Sequence, residues 1–275
     1  MPDIEQQTIR AGLKFLADRS APLVYVPSKG GGDETEHIGN FHTREVAIQN
    51  GRRALAATDL DREGFVLQAH ESAVADFYED AALREIYHGE LEGILRGVTG
   101  ARRVEVFDDT RRSSCSRQQR ARGIREPANI VHNDYTAASG PRRLADHFAG
   151  SPTTLRDLQA RRFAIVNVWR PIGAPVMRQP LTLCDATSVR EDDLVPVERR
   201  AEERVGELQV AVHNPQQRWY YYSQMHRGEV LLFKTFDSAC EGRTRFTLHT
   251  AFTNPFAPED APPRESLESR CLVFF

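Results

Sequence analysis

The stretch Val131-His132-Asn133-Asp134-Tyr135-Thr136 decides how the rest of the chain is read. His132 and Asp134 stand two residues apart. On extended backbone such side chains share a face, so the pair can grip one metal ion. Far downstream, Arg245-Phe246-Thr247-Leu248-His249-Thr250-Ala251-Phe252 alternates strictly. Thr247, His249 and Ala251 are small or polar enough to line a cavity, while Phe246, Leu248 and Phe252 suit packing. The rival imidazole, His226, lies close to Gly228 in a stretch that reads as a hairpin turn. His132, Asp134 and His249 therefore make the preferred set. Two histidines and one carboxylate suit non-haem Fe(II) and leave coordination positions open. A hydrogen-bonded structural pair is the plainer reading of His132 and Asp134 taken alone.

Fifteen positions after His249 comes Arg264, with Ser266 two residues on. On a strand these two share a face, and an arginine fork is the natural anchor for a carboxylate. Two other basic residues compete. Lys234 interrupts the apolar run Val230-Leu231-Leu232-Phe233-Lys234 and is the second choice. Arg270 shares the face of Arg264, but six residues of strand separate them by about 20 Å, so both cannot hold one carboxylate. Arg270 reads as a surface or salt-bridge residue.

The order His-x-Asp, His, Arg-x-Ser resembles the Fe(II)/2-oxoglutarate-dependent oxygenases built on a double-stranded β-helix, or jelly-roll. Further stretches, among them DREGF, VHNDYT, NVWRPIGAPV, RWYYYSQM, EVLLFKTFDS and PPRESLESR, resemble a narrower fungal and bacterial hydroxylase/desaturase group that includes gibberellin-desaturase-like and cephem-7-methoxylation-like proteins. The resemblance implies Fe(II) and 2-oxoglutarate as cofactors, with O2 and a small secondary metabolite as substrates. Hydroxylation or desaturation of an unactivated carbon is the implied reaction. It also implies that Arg264 and Ser266 hold the far carboxylate of 2-oxoglutarate. Asn167 is a further candidate for contact with that molecule, and Tyr135, Trp169, Tyr220 and Tyr222 are candidates for the substrate pocket. Two alternatives stay open: an iron oxidase that does not use 2-oxoglutarate, and a non-catalytic jelly-roll that binds a small molecule. A zinc hydrolase ranks third, since no general base is evident.

The 275 residues are 40% apolar, ample for one sizeable core. The expected architecture is α+β, mainly β, as a single domain over 1–275: a helical or mixed part over 1–100, then a jelly-roll core over 101–275. A net charge of −3 gives no general attraction to nucleic acid or to an anionic membrane. All basic residues but Lys14, Lys29 and Lys234 are arginine, which reads as compositional bias rather than phosphate binding. Cys115, Cys184, Cys240 and Cys271 stand apart, with neither a zinc-ribbon spacing nor a disulfide framework. Met1 to Glu5 lacks the features of a signal peptide, and no run is long enough to span a membrane. A cytoplasmic setting is expected. Oligomeric state cannot be read.

Along the chain, Thr8 to Asp18 reads as an amphipathic helix and Glu71 to Gly97 as the main helix, with Asp80 placed to cap it and Gly97 and Gly100 to stop it. Ser28 to Asp33 reads as a loop and Gly140-Pro141 as a break; the arginine-rich Asp108 to Glu126 could close over an anionic substrate but reads more simply as a solvated loop. Phe163 to Trp169, nearly all apolar, reads as a buried central strand. Arg190 to Glu207 reads as a solvated excursion. On the strand Trp219 to Tyr222, Tyr220 and Tyr222 share one face and Trp219 and Tyr221 the other, so only one pair can point inward.

Overall fold

The computed structural model describes residues 7–19, 23–32, 35–55, 57–201 and 204–275. Among these, fifteen strands form two sheets. The larger contains, in chain order, β1 (Thr8–Leu16), β2 (Val24–Val26), β3 (Glu36–Ile38), β4 (Phe41–Asn50), β7 (His132–Asn133), β9 (Leu181–Cys184), β10 (Leu194–Ala201), β11 (Arg204–Ala211), β12 (Trp219–Tyr221) and β14 (His249–Ala251). The smaller is built from β5 (Phe65–Ala69), β6 (Arg103–Ser113), β8 (Phe163–Pro171), β13 (Glu229–Asp237) and β15 (Glu265–Phe274). Spatial order in the smaller sheet is β5-β13-β8-β15-β6, so strands distant in sequence lie side by side.

Alternation along the central strands fixes what each face does. On β8, Ala164, Val166 and Val168 join the core beneath the main helix, packing with Leu83, Tyr87, Leu91 and Leu95. Phe163, Ile165, Asn167 and Trp169 take the opposite face. Trp169 packs there with Leu231 and Phe233 of β13 and with Leu183, Tyr220 and Tyr222 of the larger sheet. That layer is the interior of the jelly-roll. On the other face of the larger sheet, Trp219, Tyr221 and Leu248 pack with Ile9, Leu13 and Phe15 of its own strand β1.

Several local expectations need correction. Thr8 to Leu16 is a strand, not a helix: Ile9, Ala11, Leu13 and Phe15 are buried at period two, and β1 pairs antiparallel with β4 along its length. Ile9, Leu13 and Leu16 also fall at helical spacing, which made the stretch ambiguous. Strands therefore precede the helices. The main helix begins at Asp80 rather than Glu71, runs through a π-turn at Leu83–Tyr87 into His88–Thr99, and ends at Gly100 in the left-handed region. Gly140 and Pro141 lie inside a helix, Ser139–His147. Pro141 is tolerated in its first turn, where no intrahelical N–H bond is lost. The stretch from Asp108 continues β6 to Ser113 and then forms the helix Ser116–Arg122. Most of Arg190 to Glu207 belongs to the paired strands β10 and β11. Asp33, the end of the glycine loop, lies outside the described residues.

Candidate metal centre and its cavity

β7 holds only two residues, but its register creates the site. His132 pairs with Val210 of β11 on one side and with His249 of β14 on the other. Residues directly opposite in an antiparallel pair present their side chains to the same face. The two imidazole rings accordingly lie 4.3 Å apart between centroids. Asn133 pins this short strand from the reverse side. Its amide donates to the carbonyls of Tyr135 (2.6 Å) and Thr235 (3.0 Å), and its Oδ1 accepts from the Thr247 amide, two residues before His249 (3.3 Å).

Asp134 Oδ1 lies 3.6 Å from Nε2 of His132 and 3.9 Å from Nε2 of His249. The ligand atoms of all three residues fall within 4.8 Å of one another. Each Nδ1 is engaged elsewhere: that of His132 with the Ile130 carbonyl at 2.7 Å, that of His249 with the Thr247 carbonyl at 3.0 Å. A carbonyl can only accept, so Nδ1 carries the proton and Nε2 presents its lone pair to the centre. The second carboxylate oxygen, Oδ2, is held at 2.8 Å by both Asn167 Nδ2 and Arg270 Nε.

The electrostatics suit a cation. Burial, reinforced by the neighbouring His249, pushes His132 down to about 4, and burial lowers His249 as well. Both rings are neutral at pH 7. Burial alone would raise Asp134, but Arg270, the two imidazoles and the Asn167 hydrogen bond outweigh it and hold the group well below the carboxylate range. Two neutral imidazoles and one carboxylate, with Nε2, Nε2 and Oδ1 convergent and the other polar atoms satisfied, fit a divalent ion of the Fe(II) kind.

Arg264 is 3% exposed. Its Nε donates to Ser266 Oγ at 3.1 Å and one terminal nitrogen to the Gln179 carbonyl at 3.0 Å. Among the described residues no carboxylate forms an ion pair with it. Burial and the nearby Arg112 lower it to about 9, so it keeps its charge at neutral pH. Its guanidinium lies 5.0 Å over the ring of Trp169, whose indole N–H is buried without a partner. Trp169 sits opposite Glu268 in register, two residues past Ser266 towards Arg270 on β15. A buried, uncompensated guanidinium is costly unless an anion arrives. The terminal carboxylate of 2-oxoglutarate fits that need.

Other candidates fall elsewhere. Lys234 points to the far side of β13: Phe233 contacts His249 with ring centroids 4.6 Å apart, whereas Lys234 Nζ pairs with Asp61 and, at 2.9 Å, with Asp237. Strand alternation removes it from the interior, so the second choice for the carboxylate anchor is withdrawn. Asn167 meets the carboxylate of Asp134. Arg270 makes salt bridges, but it does so at the centre and not on the surface. Tyr220 and Tyr222 face the His249 side of their sheet, since Tyr220 and His249 are both cross-strand partners of Leu183. They pack into the interior around Phe65 and Phe233 and do not line the open cavity. Tyr135 does line it. Arg112 and Arg125, from the arginine-rich stretch read by default as a solvated loop, and Arg199, from the stretch read as a solvated excursion, also border this cavity of about 650 Å³. Arg112 carried one signal: as the partner of Ser266 it shares the interior face.

A jelly-roll with two imidazoles and a carboxylate converging in its interior defines a mononuclear non-haem metal enzyme. Comparison with known proteins narrows the class. Residues 13–274 match the family model described as "Oxidoreductase/YMDC permease-like domain". No helix among the described residues is long and apolar enough to cross a membrane. The chain is 34% identical over 276 residues to the hydroxylase/desaturase CTB9 of Cercospora beticola, covering 90% of this chain and 83% of that protein. It is 34% identical over 254 residues to the Fe(II)/2-oxoglutarate-dependent dioxygenase nvfI of Aspergillus novofumigatus, covering 88% and 87%. A solved structure of the iron and α-ketoglutarate-dependent endoperoxidase NvfI superposes with a TM-score of 0.84 at 28% identity, over 98% of each chain. The chain belongs to this oxidoreductase family, that of the Fe(II)/2-oxoglutarate-dependent hydroxylases and desaturases. It is an enzyme that uses O2, iron and 2-oxoglutarate on a small molecule.

Proposed function

We propose that His132 Nε2, His249 Nε2 and Asp134 Oδ1 hold the Fe(II), and that Arg264 with Ser266 binds the far carboxylate of 2-oxoglutarate. The observation that carries this reading is the convergence of those three atoms, with every competing polar atom on the same side chains already engaged. Iron and 2-oxoglutarate, when bound, would let O2 act as the oxidant, the 2-oxoglutarate leaving as succinate and carbon dioxide. The residues of the chain do the rest. The two imidazoles and Asp134 would supply three donors and no more, so positions on the ion would remain for 2-oxoglutarate and O2. Asn167 and Arg270 keep Oδ2 turned away, so Asp134 offers a single oxygen. Phe233 packs on His249 and excludes water behind it. The buried fork of Arg264 orients the co-substrate along β15.

The chain works as one oxygenase domain over 1–275, in a reducing cytoplasm, on a small secondary metabolite that Tyr135 helps to enclose. Relatives named for hydroxylation, desaturation and endoperoxide formation share the family, and nothing in the metal ligands selects one outcome.

Anaerobic titration tests the assignment. Wild-type protein given Fe(II) and 2-oxoglutarate together should show a weak visible charge-transfer band. His132→Ala should abolish it. Arg264→Gln should raise the 2-oxoglutarate concentration needed by roughly 100-fold, the scale of one or two lost charge-assisted hydrogen bonds. An unchanged requirement in Arg264→Gln would remove that residue as the anchor.

A further inference from the structure

The wall of the cavity over His132 and Asp134 carries more positive charge than its own acids neutralise. Every carboxylate there is already committed. Asp134 and Asp108 hold Arg270, Asp109 holds His88 and Ser269, and Glu207 holds Arg142 and Thr136. Of the arginines, Arg111 pairs with Asp80 at 2.7 Å outside the cavity. Arg122 lies over the Tyr78 ring at 3.6 Å, and Arg143 over Phe107 at 4.4 Å.

Three remain. Arg112, Arg125 and Arg199 make no ion pair with a carboxylate among the described residues, and all three are half-buried. Arg112 donates to the backbone carbonyl of Glu126 at 2.8 Å, a neutral partner. Their placement is fixed by three separate segments. Arg112 lies on β6, Arg125 forms a β-bridge beside it, and Arg199 lies on β10 opposite Tyr25. Burial and then the charges of Arg112 and Arg199 pull the Arg125 guanidinium below its ordinary range. Like charges gathered in a half-buried wall repel, and an anion seated between them relieves that repulsion.

We propose that this cavity takes a substrate bearing an oxyanion group, a carboxylate or phosphate, held by Arg125 and Arg199 so that the remainder of the molecule faces His132 and Asp134. Arg112 stands between this cradle and Arg264: it bridges to Arg125 on one side and pairs across the sheet with Ser266, the hydrogen-bond partner of Arg264, on the other. It separates two anion sites: the inner for 2-oxoglutarate, the outer for substrate. The inference rests on the proposed metal and co-substrate site.

The test uses protein loaded with Mn(II) and 2-oxoglutarate, titrated calorimetrically with 1-naphthoate, 1-naphthyl phosphate and the neutral 1-naphthalenemethanol. At least one anion should bind ten-fold or more tightly than the alcohol, and more weakly as salt is raised. R125Q/R199Q should weaken the anion ten-fold or more, leaving the alcohol and 2-oxoglutarate unaffected. R199Q alone, a milder change, should show the same selectivity at smaller size and stands in should the double variant not fold. Equal binding of anion and alcohol overturns the inference, as does failure of both anions to bind or wild-type anion affinity in the variants. A parallel loss of 2-oxoglutarate affinity also overturns it, because the arginines would then serve the co-substrate. The Fe(II)/2-oxoglutarate absorption band separates the two levels. Its absence in wild type defeats the underlying site; its presence without anion preference defeats this inference alone.

Discussion

Asp134 shows how one side chain is divided between two tasks. Oδ1 faces the imidazoles while Oδ2 accepts from Asn167 and Arg270. Such outer contacts orient a ligand and set its donor strength, and their loss typically costs 10- to 100-fold in metal affinity. Asn167→Ala is the cleaner probe, because Arg270 also neutralises Glu268 and Asp108. The expected result is Mn(II) binding weakened by about 10-fold, with 2-oxoglutarate affinity measured at saturating metal unchanged. Unaltered Mn(II) affinity would show that Asn167 merely fills space. Removing the amide also takes from the Thr235 hydroxyl one of its two acceptors, Asn167 Oδ1 and the Ile165 carbonyl, each at 3.3 Å, so a stability loss of about 1 kcal/mol should accompany the change.

At the scale of the strand, β13 keeps its two faces chemically separate. Inward lie Leu231 and Phe233; outward lies Lys234, buried against Asp61 and Asp237, with Arg162 joining the same two acids. Lys234→Met keeps the stem and removes the charge. Breaking a buried ion pair from one side should cost roughly 3 kcal/mol, read as a lower urea midpoint. The 2-oxoglutarate requirement should stay as in wild type, and a rise in it would return Lys234 to the co-substrate site. Alternation made much of this legible beforehand. The buried run of β8, the spacing of His132 and Asp134, and the small polar face around His249 all follow from period two. What stayed hidden depends on partners. β1 looked helical because nothing local reveals that β4 will lie beside it. For a related reason Lys234 lies outside the interior, and the salt bridges of Arg270 lie at the centre and not on the surface. Which face of a strand turns inward is decided by register across the sheet: Phe233 against Asn167, and Arg270 against Asn167 from the other side. The outer arginine cradle was only half legible: Arg112 and Arg125 fall in the arginine-rich stretch that could face an anion, but nothing local shows that Arg199 of β10 joins them.

For the molecule as a whole, the buried histidines set a direction for acid stability. His132 titrates at about 4 in the fold and at about 6.5 in an unfolded chain. Between those values the unfolded state binds more protons, so stability falls as pH drops through that window. At 1.36 kcal/mol per unit the loss from His132 approaches roughly 3 kcal/mol near pH 4. His249 is lowered in the same sense and adds to it. Asp134 is depressed too, and the stability it contributes is lost as pH falls through the ordinary carboxylate range and below it. Metal-free protein should therefore lose urea resistance between pH 7 and pH 4.5. His132→Asn should flatten that dependence, and an identical slope in the variant would contradict the argument.

The pairing of His132 with His249 joins positions more than a hundred residues apart. No short fragment of this polypeptide can reproduce it, and closing so long a loop belongs to the late, slow part of folding. Iron capture is thereby tied to completion of the tertiary structure. An immature or damaged molecule offers the ion only scattered single donors, so a reactive metal is retained where a finished chamber exists to contain what it does.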